Sequence, residues 1–158
     1  MFYIPFWVLM AFFAVCALVS IKLRGFTFAD FQLIVMIVAV SLIIDMVLCK
    51  WLDYYSYVTF DKMKAFYSLI FCVIGYPAIG LIFIKFLPSS GVKVVFYILV
   101  SSAVLTVIEI LVAPFEIILY EKWVIVPWSP LIYILSYTWI YGYYRVLGRY
   151  LPGRYSVR

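Results

Sequence analysis

Two acidic side chains stand inside apolar runs of this 158-residue chain, and most of its chemical information lies in them. Asp45 interrupts the stretch from Phe31 to Cys49, and Glu109 the stretch from Val94 to Ala113. An ionisable group in hydrocarbon costs about 2.5–3.5 kcal/mol at mid-helix, so each acid is expected to find a polar partner inside the protein. Helical spacing names the candidates. Ser41, Asp45 and Cys49 fall at i, i+4 and i+8; Ser102, Thr106 and Glu109 at i, i+4 and i+7; Ser68, Cys72 and Tyr76 at i, i+4 and i+8. Each set forms one stripe along its helix, and small or hydroxylated residues let helices approach and hydrogen-bond. The three stripes are therefore expected to point inward and meet.

Depth supports that meeting. Asp45 lies 14 residues beyond Phe31 and Glu109 15 beyond Val94. In parallel helices rising 1.5 Å per residue, both acids come to similar height, roughly 10 Å from one interface. Two carboxyl groups in one low-dielectric site do not both ionise readily. One that keeps its proton can donate to Ser, Thr or Tyr and serve as structural glue. The alternative is a proton or cation site, or a polar pocket. A further feature is Pro77, which follows Tyr76 and frees the carbonyl of Val73, so a kink is expected there. Such a kink is either fixed shape or a hinge.

Other chemistry is excluded by what is missing. The chain has no His, which removes Ser-His-Asp catalysis, the HExxH zinc site and the usual near-neutral proton switch. Cys16, Cys49 and Cys72 lie far apart with no CxxC pair, so they read as small hydrophobes in helix packing. There is no glycine-rich phosphate loop. No cofactor and no metal are expected.

The elements that must position these residues are membrane helices. Hydrophobic residues make up 69% of the chain and charged residues 12%, against about 45–50% and 25% in soluble domains. Mean hydropathy is +1.19. So few charges cannot cover a small soluble domain. Runs long enough to cross a bilayer occupy about 2–21, 31–49, 65–87, 94–113 and 128–147. The segment 114–127 holds Glu116, Glu121 and Lys122 and is expected to be interfacial or shallowly re-entrant. The first run lacks the basic start and small-residue cleavage site of a signal peptide, so it reads as a retained span. The fold class is all-α, a polytopic membrane bundle of about five helices in a single domain, with no internal repeat.

Five spans put the termini on opposite sides. Lys22, Arg24, Lys85, Lys93, Arg145, Arg149, Arg154 and Arg158 fall on one side, and Lys50, Lys62, Lys64 and Lys122 on the other. Asp53, Asp61, Glu116 and Glu121 share the poorer side, whereas Asp30 lies on the richer one. The positive-inside rule then puts the N-terminus outside and the C-terminus in the cytoplasm. Trp51, Tyr54, Tyr55, Tyr57, Trp123 and Trp128 read as an outer aromatic belt. The net charge of +5 sits at span ends, where membrane topology and anionic headgroups explain it. Nucleic acid is not an expected partner.

Asp45 before an aromatic loop, Gly75-Tyr76-Pro77, Phe86-Leu87-Pro88, Ile108-Glu109 and the Trp123 to Trp128 segment together form a pattern. Over roughly residues 30–150 the chain resembles an uncharacterised family of small polytopic membrane proteins found in endospore-forming bacteria. The resemblance implies a membrane location and a Gram-positive type of host. It implies no activity and no catalytic residue.

The expected function is that of a non-enzymatic multi-pass protein of a bacterial cytoplasmic membrane. It would be a structural or partner subunit with a buried polar cluster near the outer face, in contact with lipids and with other copies or other membrane proteins. One alternative is a small transporter or channel using Asp45 and Glu109. A third is an intramembrane enzyme, although neither acid has the neighbouring Gly of intramembrane aspartyl motifs.

Overall fold

Apolar residues fill these helices almost all the way round, so packing rather than polarity separates their faces. The computed structural model describes residues 3–57, 64–89, 91–120 and 122–150. The side chains of Lys50, Asp61, Lys62, Lys64, Glu121, Arg154 and Arg158, used in the charge count above, lie outside those described. Helix α1 spans Ile4–Arg24 and α2 spans Phe28–Asp45, extended by a π-turn over Met46–Trp51. The third rod is α3 (Lys64–Ile70), a π-turn (Phe71–Gly75) and α4 (Tyr76–Lys85). Helix α5 spans Gly91–Val112 and α6 spans Ile125–Tyr150.

The chain is thus an all-α bundle of five rods, four of which are long and apolar enough to cross a membrane. The fifth, α6, is interrupted near its start by non-helical backbone at Val126. Its Tyr, Ser and Trp content sets it apart, and it packs on α2, α4 and α5. Successive rods alternate in direction, since Asp30 at the start of α2 meets Lys85 at the end of α4, and Glu109 near the end of α5 meets Ser129 near the start of α6.

Helix α5 shows the inversion most plainly. It buries Ser102, Thr106 and Glu109 and exposes Val95, Leu99, Val104 and Val107. Polar groups inside and apolar groups outside is the arrangement that hydrocarbon, not water, favours.

At Tyr76-Pro77 the helix does not simply break. The π-turn before it carries the irregularity, with Tyr76 N–H donating to the Phe71 carbonyl five residues back. Pro77 follows at once within the same rod and supplies no N–H to the turn before it. A residue inserted as a π-turn is a recognised cause of helix bending.

Two apolar clusters flank α4. One joins Phe6, Met10 and Phe13 of α1 to Tyr67 and Phe71, with Phe6 and Tyr67 ring centroids 4.8 Å apart. In the other, Phe83 stacks between Tyr97 at 5.1 Å and Tyr137 at 4.2 Å, tying α4 to α5 and α6. Gly80 makes the close approach of α4 to α2, for a Cβ there would lie 2.3 Å from Ile37 Cδ1.

The end of the bundle with Arg24 and Lys85 is closed by charge. Thr27 caps α2 in a capping box with Asp30, which satisfies two backbone donors at the helix start. Asp30 Oδ2 also accepts from Lys85 Nζ at 2.5 Å, with both side chains buried.

The opposite end holds the only strands among the described residues. Strand β1 (Tyr55–Tyr57), in the α2–α3 connection, pairs antiparallel with β2 (Ile118–Tyr120), in the α5–α6 connection. Part of the expected interfacial segment 114–127 is therefore a strand, preceded by a 3-10 turn over Ala113–Phe115. Each strand has only three residues, too few for a periodicity of two to show in sequence.

Candidate carboxyl–tyrosine site

The strand register fixes the site. Tyr55 faces Tyr120, Ser56 faces Leu119 and Tyr57 faces Ile118. Directly opposed residues share one face of a ribbon, so the Tyr55 and Tyr120 side chains leave the sheet together. Tyr55 donates its hydroxyl to Asp45 Oδ1 at 2.8 Å. Tyr120 donates to Glu109 Oε1 at 2.7 Å.

Neighbouring helices complete each set. Asp45 Oδ2 accepts from the Ser68 hydroxyl of α3. Glu109 accepts from Ser129 at 2.9 Å on Oε1 and from Tyr133 at 2.8 Å on Oε2, both on α6. Trp123 Nε1 donates to Ser129 Oγ at 3.0 Å, so the serine relays the indole dipole to the carboxyl. Asp45 is 5% exposed and Glu109 9%. Among the described residues neither has a basic partner, since the one ion pair is Lys85–Asp30. Hydroxyl donors alone offset the desolvation of these acids, as buried polar groups require.

Burial pushes the Tyr55 hydroxyl far above the ordinary value of 10.0, helped by the adjacent Tyr76 and Asp45. Burial does the same for Tyr120, and its hydrogen bond to Glu109 adds to the effect. Both phenols therefore remain donors at any physiological pH.

The candidates read from sequence divide between partners and bystanders. Ser68 meets Asp45. Tyr76 sits close enough to Tyr55 and Tyr120 to act on their titration and packs edge-on against Phe71 at 4.9 Å. Ser41 turns to the carbonyls of Val38 and Cys72. Thr106 donates to the carbonyl of Ser102, and the Ser102 hydroxyl is buried without a partner. The stripe on α5 thus faces inward, but the Thr106 hydroxyl serves the helix and the Ser102 hydroxyl does not reach Glu109. Pro77 is buried at the start of α4. Tyr120, Ser129 and Tyr133 were not expected, and Tyr55 was expected only in the aromatic belt. The one available signal was donor spacing on α6, where Ser129 and Tyr133 stand at i and i+4.

Glu109 also lies in the wall of a cavity of about 210 Å³ enclosed by all five rods, with Leu9 and Phe13 of α1 among its lining. Its lining is mostly apolar. Among the described residues no three of His, Cys, Asp and Glu gather as a metal site. Cys16, Cys49 and Cys72 are not disulfide-bonded. Comparison with protein-family models, with curated proteins and with solved structures finds no match to this chain.

Proposed function

We propose that the chain is a non-enzymatic multi-pass protein of a bacterial cytoplasmic membrane. Asp45 and Glu109 fasten a small external sheet onto its helices, and it serves as a structural or partner subunit. The observation that carries this reading is the donor set. Each carboxyl takes one tyrosine from the sheet and the rest of its donors from an adjacent helix. A two-stranded ribbon is marginal alone, so the acids hold in place what the strands cannot. The sheet end is the outer one in this reading, supported by the gathering of Lys22, Arg24, Lys85, Lys93, Arg145 and Arg149 at the other end. The resemblance to the endospore-former family belongs to the same proposal.

Asp45→Asn and Glu109→Gln test it. The expected result is a lower melting temperature in detergent for both, with no ion flux in proteoliposomes from the wild type or either variant.

A second reading has its own observation: two buried carboxyls without a basic partner among the described residues, one of them in a cavity wall. That arrangement suits a proton or cation site. A wild-type, cation-dependent flux lost in both variants while they stay folded would favour it over the fastening role.

A further inference from the structure

The cavity beside Glu109 has two unlike ends. At the sheet end, Tyr120, Trp123, Ser129 and Tyr133 surround the carboxyl. Further along, Ile37, Leu105, Tyr137 and Ile140 line it, with Gly80 packed closely against Ile37. From Ser129 to Ile140 the α6 wall runs about 16 Å at 1.5 Å per residue. Among the described residues no Lys or Arg lines the cavity. A dry apolar cavity of about 150 Å³ already admits benzene, and this one, at about 210 Å³, is larger.

Its rim has a direction. Three lining residues are more than a third exposed: Ile44 of α2 at 45%, and Ile132 and Trp139 of α6 at 38% and 37%. All three belong to the two helices that form the lateral wall. In a bilayer that wall faces acyl chains.

We propose that this cavity binds a single-tailed amphiphile with an ammonium head, entering sideways between α2 and α6. The tail lies along the Ile37–Ile140 end and the head beside Glu109. A carboxyl lacking a basic partner gains a counter-charge from such a head, and the Tyr120, Trp123 and Tyr133 rings favour a cation over an anion. A carboxylate or phosphate head would meet Glu109 with nothing to neutralise it.

The proposal rests on the membrane placement above, and the experiment separates the two. The full chain is reconstituted in phosphatidylcholine nanodiscs and titrated with a terminally brominated dodecylamine, reading quenching of tryptophan fluorescence. The expected result is saturable quenching, competed by dodecylamine and not by dodecanoate, and about tenfold weaker in Glu109→Gln. Ser136→Phe puts a ring into the lining and is expected to abolish saturation, whereas Leu135→Phe, on the exposed face, leaves it unchanged. If the chain incorporates and quenching is unsaturable, or dodecanoate competes equally, the site is overturned and the membrane placement stands. A chain that does not enter nanodiscs overturns both.

Discussion

Tyr55 and Tyr120 are cross-strand partners that hydrogen-bond to two different buried carboxyls, Asp45 and Glu109. The ribbon therefore couples the end of α2 to the end of α5, elements that share no loop. Each phenol holds its own strand directly and the opposite strand through the pairing.

That coupling predicts non-additive losses. Tyr55→Phe or Tyr120→Phe removes one donor from a buried acid, which costs about 1–3 kcal/mol. Once either anchor is gone the ribbon is freer to leave, so the second substitution is expected to cost less than it does alone. Denaturant unfolding of the four proteins measures the cycle. Strict additivity would show that the strands do not transmit the constraint.

The phenols also set an alkaline limit. Burial raises both above the ordinary 10.0, so the folded chain keeps protons that an unfolded chain loses. Their contribution to stability is complete below pH 10 and declines as pH rises further. Tyrosinate absorbance is the measurement. Wild type and the Tyr55→Phe/Tyr120→Phe double variant are expected to ionise the same number of tyrosines before unfolding. Two fewer in the variant would mean that these hydroxyls titrate normally and the site is open to water.

The sequence carried the apolar runs and the inward stripe of α5, because both follow from helical period and hydrocarbon cost. It did not carry the donors of Glu109. Ser129 and Tyr133 sit in a run of α6 crowded with other Tyr and Ser residues, and only packing selects which of them faces α5. Nor did it carry Asp30–Lys85. In sequence the two are loop charges on one side, 55 positions apart, and their union depends on α2 and α4 being neighbours. The π-turn at Phe71–Gly75 was likewise hidden, since Pro77 announces an irregularity without its form.

The Asp30–Lys85 pair predicts a strong asymmetry among lysines. Lys85 is 7% exposed and Asp30 wholly buried. Lys85→Met leaves an uncompensated carboxylate inside the protein, a change that costs about 3–5 kcal/mol. Lys93 is exposed on α5, and Lys93→Met is expected to shift stability by no more than about 0.5 kcal/mol. Thermal unfolding in one detergent compares them. Equal losses would mean that water reaches Asp30.

Gly80 offers a test of the α2–α4 contact at a single atom. A Cβ at this position would stand 2.3 Å from Ile37 Cδ1, so Gly80→Ala forces that methyl aside. Its nearest open space is the cavity, which both residues line. Overpacking a site of this kind costs about 1–3 kcal/mol. Ile37→Val deletes the offending Cδ1 and is itself worth a loss of about 0.5–1.5 kcal/mol. Gly80→Ala with Ile37→Val is therefore expected to be more stable than Gly80→Ala alone, although each substitution is destabilising in the wild type. Melting curves of the set decide it. If the second change deepens the loss, the helices separate rather than repack, and Gly80 acts through backbone geometry instead of through Ile37.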